Sequence, residues 1–334
     1  MTAFTGARLD RAGDARRRDP AWLAEQRAHP AARAVLAGDE GVVMDGDKLA
    51  HVPLADALSA RVAAADDASE AEAAAEPLLL GVGAAGPLFA VDVDAPATVV
   101  DRAPRLIAAG GARGSGARKP AAAAGPRPVP LREAVAVLPQ DEGGLVAYVA
   151  SLCNWHRRHR FCAACGAPSE LGEGGLIRAC PRCGTHHHPR TDPVVIMLVT
   201  AHDRVLLGRA PSWPERRYSA LAGFVEPGES LEEAVAREVA EESGVEVGPP
   251  RYVASQPWPF PSSLMLGFEA PYRAGEPCAL EDDIEDLRWF SREEVVATAA
   301  ADVQGWGAPV AGEPLLLPPR LAIARRLIER WLAA

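Results

Sequence analysis

The stretch Gly223–Val245, GFVEPGESLEEAVAREVAEESGV, decides the fold of the C-terminal half of the chain. Ser230 and Glu233 form an S-x-x-E capping box, the arrangement in which each residue satisfies a backbone N–H of the other at a helix start. Gly244 stands where helices commonly end, because glycine readily adopts the left-handed conformation. The pattern therefore predicts a helix over Leu231–Ser243.

The inner face of this helix carries acidic residues. Leu231, Val235 and Val239 share one stripe, and Glu238 and Glu242 lie within about 20° of the direction of Leu231. Two carboxylates on a face that packs against the domain need a cation, either an arginine or a bound metal. Clustered carboxylates suit Mg²⁺ or Mn²⁺, hard ions that also bridge phosphate oxygens, so a divalent metal site is predicted here.

A second motif consists of two CxxC pairs, each followed by glycine. Fourteen residues separate the two pairs, whose members are Cys162, Cys165, Cys180 and Cys183. Four thiolates with this spacing predict one tetrahedral Zn²⁺ site, and a site closed by four protein ligands is structural. Two disulfides are disfavoured in a chain without a secretion signal, and a thioredoxin-like redox pair is disfavoured by the doubled motif.

Composition limits the classes of partner. The 334 residues are 48% hydrophobic with a formal net charge of −10, which argues against coating nucleic acid or an anionic membrane through bulk electrostatics. The longest apolar run of the sequence, near 194–199, is far too short to span a membrane. We expect a cytoplasmic protein with no membrane partner.

The order of segments predicts three parts. Residues 1–155 form a divergent α+β domain with a flexible Ala/Gly/Pro-rich insertion at 110–130, residues 156–189 the zinc ribbon, and residues 190–334 the catalytic domain. No internal repeat is visible. In the first part we expect strands in EPLLLGVG and PLFAVDV and a helix at 141–160. In the last we expect strands in PVVIMLVT, DRVLLGRA and SALAGFV and a final helix near the C-terminus.

The 223–245 segment resembles the Nudix box of the Nudix hydrolases. The matching residues are Gly223, Glu229, Arg237, Glu238, Val239, Glu241, Glu242, Gly244 and Val245. The resemblance implies an α/β/α sandwich that hydrolyses nucleoside diphosphate derivatives. It also implies that Glu238 and Glu242 are the main Mg²⁺ or Mn²⁺ ligands, that Glu241 is a further ligand or the base, that Arg237 orients the glutamates, and that the carbonyl of Ala222 is another ligand.

The stretch SQPWPFPSSLM, residues 255–265, narrows the resemblance to the NADH pyrophosphatases, a family that also removes NAD caps from RNA. Its prolines fix φ and lower the entropy lost on binding, while its rings can hold a flat heterocycle; the alternative is that the rings are ordinary core aromatics. Phe224 resembles an aromatic that stacks on one base. The implied substrate-binding loop comprises Gln256, Pro257, Trp258, Pro259, Phe260, Pro261, Ser262 and Ser263.

At several other positions where the family has a functional residue, this sequence has a different residue type. A metal ligand that is usually Glu falls on Asp283, and an aromatic that closes over the base falls on His188. An acidic substrate contact falls on Gly175, with Glu173 nearby. Further substrate-binding positions fall on Arg132 and Ala324.

The resemblance implies a metal-dependent hydrolase and a homodimer. The expected reactions are conversion of NAD(H) to NMN(H) and AMP, and removal of NAD caps from RNA to give NMN and 5′-monophosphate RNA. NAD(H) is then a substrate and not a cofactor. Two alternatives stay open: a Nudix pyrophosphatase for other derivatives such as ADP-ribose, and a noncatalytic, nucleotide-sensing RNA-binding protein.

Overall fold

The computed structural model describes residues 2–39, 41–64, 76–93, 126–280, 282–301 and 315–334. The chain divides into two units. The first comprises Met1–Ala3, Thr191–Trp258 and Ser262–Ala334, and the second comprises Phe4–Arg190 with Pro259–Pro261. Most of the predicted insertion at 110–130 lies outside the described residues, but its end does not: Arg127–Val129 is a strand of a sheet.

The second unit contains the N-terminal sheet and the four-cysteine segment. The helices and strands of its N-terminal part are α1 (Asp14–Arg17), α2 (Pro20–Ala28), β1 (Arg33–Gly38), β2 (Gly41–Asp45), β3 (Lys48–Leu49), β4 (Val52–Pro53), α3 (Leu54–Ala64), β5 (Leu78–Gly83), β6 (Gly86–Asp92), β7 (Arg127–Val129), α4 (Leu131–Val137) and α5 (Gln140–Arg158). The strands expected in EPLLLGVG and PLFAVDV are β5 and β6, and the helix expected at 141–160 is α5, so these predictions are confirmed.

The N-terminal sheet has the order β3-β2-β1-β6-β5, with β4 beside β1 and β7 beside β2. β1 runs parallel to β6 and antiparallel to β2 and β4. Successive side chains of a strand point to opposite faces of its sheet. Val35 and Ala37 accordingly join the core that includes α5, while Ala34 and Leu36 join the core that includes α3. The sheet is therefore covered by a helix on each face.

The four-cysteine segment forms its own small sheet after α5. Its three strands, in the antiparallel order β10-β9-β8, are β8 (Glu170–Gly172), β9 (Ile177–Ala179) and β10 (His186–His187). Arg17 is only 1% exposed. Its guanidinium donates hydrogen bonds to the backbone carbonyl oxygens of Leu79 and Glu173. This buried arginine joins the N-terminal sheet to the turn between β8 and β9.

The first unit contains the C-terminal sheet. Its helices and strands are β11 (Asp192–Ala201), β12 (Arg204–Arg209), β13 (Leu221–Phe224), α6 (Leu231–Ser243), β14 (Glu246–Val247), β15 (Arg251–Trp258), β16 (Ser263–Ala274), β17 (Asp286–Ser291), α7 (Arg292–Ala301) and α8 (Ile323–Ala333). The three strands expected after Pro193 are β11, β12 and β13, and the final helix is α8. These predictions are confirmed.

This sheet has the order β14-β16-β11-β12-β17, with β13 beside β11 and β15 beside β16. β11 runs parallel to β16 and antiparallel to β12 and β13. Ile196 and Leu198 face the core that includes α8, whereas Val195 and Met197 face the core that includes α6. The predicted α/β/α sandwich is confirmed, and its central strand alternates between the two helical layers.

The two sheets share the arrangement of their central strands, although the sequence shows no internal repeat. In each, a strand pairs with the next strand in a hairpin, runs parallel to a later strand, and meets a short strand that leads into a helix. That helix is α3 in one unit and α6 in the other. The sequence of α3, LADALSARVAA, contains no glutamate, so this helix has no counterpart of the α6 glutamates.

Among the described helices, none is both long enough and apolar enough to cross a membrane.

Candidate active site

The helix that carries the clustered glutamates, α6, begins and ends where the sequence predicts. The Ser230 hydroxyl accepts a hydrogen bond from the Glu233 backbone N–H (3.3 Å), and the Glu233 carboxylate accepts one from the Ser230 backbone N–H (2.8 Å). Gly244 ends the helix at φ 67°, in the left-handed region that favours glycine. Both ends of α6 are thus held by local interactions, which fixes where its acidic face points.

Glu238 reaches from α6 back to the β13 backbone, and this approach requires a glycine at position 223. A Cβ built on Gly223 would overlap all three terminal atoms of the Glu238 carboxylate. Gly223 cannot move aside, because it pairs with Val195 in the ladder between β13 and β11. The first glycine of the box therefore makes room for one of its own glutamates.

Arg237 holds three of the box carboxylates together. Its Nε donates to Glu229 Oε1 (2.6 Å), and its Nη1 donates to Glu238 Oε1 (2.9 Å) and to Glu241 Oε2 (2.8 Å). Its Nη2 donates to Glu229 Oε2 and to the Phe224 carbonyl oxygen, both at 2.9 Å. The guanidinium fork thereby links α6 to the preceding loop and to the end of β13.

This network shifts the pKa values of Glu229 and Arg237. The hydrogen bonds from Arg237 lower the pKa of Glu229 to about 2, with a smaller contribution from the backbone N–H of Glu226. The hydrogen bonds that Arg237 donates to these carboxylates raise its own pKa above the ordinary value, and the one to Glu229 contributes most. At neutral pH the Arg237–Glu229 pair is therefore ionised.

The two glutamates predicted to face inward do so. Glu242 is 7% exposed and the Glu238 side chain 12%, whereas the Glu241 side chain is 48% exposed. Ala222, whose carbonyl is the further predicted ligand, lies next to Gly223 in β13. Carboxylate and carbonyl oxygens are the donors that hard divalent cations take, so these residues fit a divalent metal.

Asp283 is exposed in the turn before β17. In the part of the chain that the structure describes, the four cysteines alone form a cluster of three or more candidate ligand groups within 4.8 Å of one another. The carboxylate oxygens of the box glutamates and Asp283 do not form a cluster within that distance. Three of the box carboxylates are instead bridged by Arg237. The role of Asp283 stays a prediction.

A cavity of about 200 Å³ lies in the same unit as the box. Four residues that the sequence predicts for the site line it: Ala222, Gln256, Trp258 and Ala324. Ala324 is buried in the first turn of α8. The cavity therefore adjoins β13, the strand that ends at the box, and is lined by the first part of the aromatic loop.

Gln256 is fully buried and ties this loop to the start of α8. Its Nε2 donates to the Leu321 carbonyl oxygen (2.7 Å), and its Oε1 accepts from the Ile323 backbone N–H (2.7 Å). Both ends of the side-chain amide are thus used within the protein. This geometry favours a positioning role for Gln256, which shapes the cavity wall.

The loop residues fall in two settings. Pro257 and Trp258 pair with Leu264 and Ser263 in the ladder between β15 and β16. Ser262 donates from its hydroxyl to Asp192 Oδ2 (3.0 Å).

The loop tip, Pro259–Pro261, belongs to the second unit. There Phe260 contacts the two residues Arg132 and Phe4, with the Arg132 Cζ 4.7 Å from its ring centroid and the Phe4 ring edge-on at 6.1 Å. The structure thus brings together Arg132 and Phe260, which the sequence assigns to substrate binding separately.

Phe224 and His188 are both exposed. Phe224, at the end of β13, is 60% exposed. Its backbone carbonyl oxygen accepts a hydrogen bond from Arg237. A ring so placed beside the carboxylates can stack on a base. His188 lies in the second unit, immediately after β10.

The four cysteines form a second, separate cluster. The Sγ atoms of Cys162 and Cys183 are 3.6 Å apart, as are those of Cys165 and Cys180. A tetrahedral zinc with Zn–S distances of about 2.3 Å places its sulfurs roughly 3.8 Å apart, so this spacing fits the metal.

Each cysteine pair lies in a turn closed by a glycine. The N–H groups of Gly166 and Gly184 donate to the carbonyl oxygens of Cys162 and Cys180, and both glycines have φ near 75°. His187 Nε2 lies 3.2 Å from Cys162 Sγ, as an outer contact of the cluster.

Sequence reasoning missed the segment between β12 and β13. Trp213, Arg217 and Tyr218 all line the cavity beside Trp258. No motif marks this segment, and its relation to the aromatic loop arises through folding. In the local sequence, only Trp213 beside Pro214 resembles the aromatic and proline pattern of the 255–265 loop.

Three family models match successive parts of the chain. The NADH pyrophosphatase-like rudimentary NUDIX domain matches residues 31–155, the NADH pyrophosphatase zinc ribbon domain residues 157–187, and the NUDIX domain residues 189–309. The first match agrees with the shared topology of the two sheets. Together with the cysteine geometry, the second match identifies a structural zinc site.

Curated relatives carry related names. NAD-capped RNA hydrolase NudC of Stutzerimonas stutzeri (strain A1501) is 44% identical over 214 residues, covering 64% of this chain and 71% of that protein. NAD-capped RNA hydrolase NudC of Pseudomonas aeruginosa (strain LESB58) is 42% identical over 204 residues, covering 61% and 66%. NAD-capped RNA hydrolase NUDT12 of Homo sapiens is 43% identical over 213 residues, covering 61% of this chain and 44% of the human protein.

The sandwich and the glutamate-bearing helix define a Nudix hydrolase, an enzyme class that uses a divalent metal. Within that class, this chain belongs to the NADH pyrophosphatase family. The matched region spans about two thirds of the bacterial relatives and less than half of the human one.

Proposed function

We propose that this protein hydrolyses the pyrophosphate bond of NAD(H) to give NMN(H) and AMP, and removes NAD caps from RNA to give NMN and 5′-monophosphate RNA. The observation that carries the proposal is that the box glutamates and an aromatic cavity lie in one unit and meet at β13. Ala222 lines the cavity, and Gly223, the next residue, receives the Glu238 carboxylate. The names of the curated relatives support the same substrates.

The proposed roles of the acidic residues follow from their exposure. Glu238 and Glu242, which are largely buried, would hold Mg²⁺ or Mn²⁺ together with the Ala222 carbonyl and Asp283. Such an ion, when bound, lowers the pKa of water and neutralises charge on the pyrophosphate. Glu241 is half exposed, so its carboxylate is available as a further ligand or to accept a proton from the attacking water. Arg237 orients the carboxylates through the hydrogen bonds described above.

The aromatic groups supply the second part of the proposal. Trp258 in the cavity and the exposed ring of Phe224 offer faces on which flat heterocycles stack. Pro257, Ser262 and Ser263 would hold the Trp258 ring in place. Within the second unit, Arg132 and Phe260 form a pair that offers a cation and a ring. The substrate-binding roles of Arg132, Pro259, Phe260, Pro261 and His188 are proposed from the sequence motif.

Comparative kinetics test the substrate assignment. We would measure kcat/KM for NADH, NAD⁺, NAD-capped RNA and ADP-ribose, with Mg²⁺ and with Mn²⁺. The proposal requires kcat/KM to be higher for the NAD-containing substrates than for ADP-ribose. Faster hydrolysis of ADP-ribose would indicate a Nudix enzyme of other preference, and tight nucleotide binding without hydrolysis of any substrate would indicate a sensor.

The proposal includes a cytoplasmic homodimer as the working form. Light scattering coupled to gel filtration checks the dimer directly. A monomer at concentrations where hydrolysis is at full specific activity would contradict it.

A further inference from the structure

The junction between α5 and the zinc ribbon is basic, although the chain as a whole is acidic. Residues 156–190 contain six arginines and two glutamates, and the carboxylate of one of these, Glu173, pairs with Arg18 (2.8 Å). A zinc ion with four thiolates would add two negative charges, which still leaves the segment positive. Within it, residues 158–161 read RHRF, so guanidinium groups alternate with rings.

The exposed arginines of this junction have no carboxylate partner. In the described part of the chain, no ion pair involves Arg158, Arg160 or Arg182, all of which are exposed. Burial and, after it, the nearby charge of Arg160 lower the pKa of Arg178. Like charges are thus gathered here without an anion of the protein to compensate them.

The helix dipole accounts for only one of these charges. A cation in the last turn of a helix is stabilised by the partial negative charge of that end, which suits Arg158. Arg160 lies beyond the end of α5, and Arg178 and Arg182 belong to the ribbon. An anion from outside the chain would compensate these three.

Two rings accompany the charges. Phe161 is 63% exposed, the highest value among the large apolar side chains of the described residues. The ring of His159 stacks on that of Trp155, with centroids 5.2 Å apart and an angle of 26° between the planes. Trp155 is buried, so it supports His159 from below. Ring faces of this kind stack on nucleobases without reading their identity.

The backbone that carries these groups is held in place. The Ser169 hydroxyl lies 3.0 Å from the carbonyl oxygens of both His159 and Arg160 and donates to them. Arg178 in turn donates from Nε to the Ser169 hydroxyl (2.8 Å) and from Nη2 to the Ser169 carbonyl oxygen (2.6 Å). Arg178 is therefore a brace within the protein, and the exposed arginines are the groups available to a ligand. A braced surface loses less entropy when it binds.

The cysteine cluster brings a further arginine to the same place. Phe161 precedes Cys162 and Arg182 precedes Cys183, and the Sγ atoms of these two cysteines are 3.6 Å apart. We call residues 158–161 together with Arg182 the basic strip. All of it belongs to the second unit.

We propose that the basic strip binds the single-stranded RNA chain that follows an NAD cap, with its arginines on phosphates and its rings on bases. This inference rests on the proposed removal of NAD caps from RNA and adds a surface for the rest of the transcript. Alternating cations and rings favour a nucleic acid over an acidic protein segment, which has charges but no flat bases. Phosphate contacts and ring stacking carry little sequence information, so unrelated transcripts should bind alike.

Fluorescence anisotropy tests the charges of the strip. The probe is a labelled, single-stranded 5′-monophosphate RNA of about 20 nucleotides, longer than a typical single-strand site, added to zinc-loaded protein without further divalent metal. The Arg158→Gln/Arg160→Gln double variant should raise Kd about tenfold and reduce the slope of log K against log salt by about 1.4, since each lost phosphate contact removes about 0.7. Arg127→Gln/Arg273→Gln removes the same charge at two exposed arginines outside the strip and should leave both quantities unchanged.

Phe161→Leu tests the stacking separately from the charge. It should raise Kd about fivefold with the salt slope unchanged, because stacking on a ring is not an ionic interaction. A Kd equal to that of wild type in Phe161→Leu would overturn the stacking role even if the arginine variants fail to fold. Zinc content and circular dichroism check the fold of each variant.

The remaining outcomes separate this surface from its alternatives. The double variant should hydrolyse NADH at the wild-type rate. Equal weakening of RNA binding in the double variant and its charge-matched control would overturn the proposal, and so would loss of a wild-type dimer in the double variant, which would mark the strip as an interface between copies. Strip-dependent RNA binding by a wild type that hydrolyses neither NADH nor NAD-capped RNA would instead refute the proposed function and leave the RNA surface standing.

Discussion

The α-carbon of Gly223 and the carboxylate of Glu238 lie so close that no side-chain carbon fits between them. The contact joins the end of β13 to the inner face of α6. It explains physically why the loop–helix segment needs a glycine where the strand ends and a glutamate fifteen residues later. The carboxylate is positioned by backbone on one side and by Arg237 on the other.

Replacing Gly223 by alanine should displace Glu238. We expect kcat to fall about 100-fold, the order of loss caused by a misplacement of roughly 1 Å in a catalytic group. The zinc content and the circular dichroism spectrum should stay unchanged. Gly13→Ala is the matched control, because a Cβ at Gly13 meets nothing within 4 Å. Normal turnover in Gly223→Ala would refute the steric account.

Glu242→Gln should lower turnover by orders of magnitude while preserving the fold. The substitution keeps the shape of a residue that is 7% exposed and removes its charge. Because a ligand that binds the native state raises its stability, Mn²⁺ should raise the thermal unfolding midpoint of wild type more than that of Glu242→Gln. Glu232→Gln, on the exposed side of the same helix, is the control. Equal stabilisation of all three proteins by Mn²⁺ would argue against Glu242 as a ligand.

The pKa of Glu229 should depend on Arg237. The ordinary value is 4.5 and the network lowers it to about 2. Since the folded-state pKa lies below the unfolded-state value, this contribution to stability is present above about pH 4.5 and is lost as the pH falls toward about 2. In Arg237→Met, carbon-13 NMR of the carboxyl groups should show Glu229 titrating near its ordinary pKa.

Glu233 serves as an internal control for that titration. Its pKa is lowered mainly by the Ser230 backbone N–H and hydroxyl, which belong to the capping box. It should therefore stay low in Arg237→Met. A parallel rise of both pKa values would indicate that the variant had unfolded α6 rather than removed one partner.

Cys180→Ser should abolish zinc binding. Elemental analysis should find one zinc per chain in wild type and almost none in the variant, because three thiolates no longer close the tetrahedral site. The thermal unfolding midpoint should fall as well. Cys278→Ser is the matched control, since Cys278 is exposed and lies outside the cluster. Retention of stoichiometric zinc by Cys180→Ser would contradict the four-cysteine site.

The features that could be predicted from the sequence are those determined by short spacings. The ends of α6 follow from Ser230, Glu233 and Gly244, and the zinc cluster follows from two CxxC pairs. The inward direction of Glu238 and Glu242 follows from helical periodicity alone. In each case the deciding interactions lie within a few residues, so the pattern is visible before folding.

The features that could not be predicted depend on distant segments. The Nudix-like topology of the N-terminal sheet rests on the parallel pairing of β1 with β6 and is not marked by any acidic motif in α3. Gln256 belongs to a recognisable motif, yet its hydrogen bonds to the start of α8 show it acting on the protein's own backbone.

Product analysis in ¹⁸O-labelled water tests the central claim most directly. Purified, zinc-loaded protein would be incubated with NADH and, separately, with NAD-capped RNA, in the presence of Mg²⁺ or Mn²⁺, and the products analysed by mass spectrometry. The account predicts NMNH with AMP from the first and NMN with 5′-monophosphate RNA from the second, with one ¹⁸O in a product phosphate. Intact substrates with both metals, or release of nicotinamide instead of a mononucleotide, would contradict it.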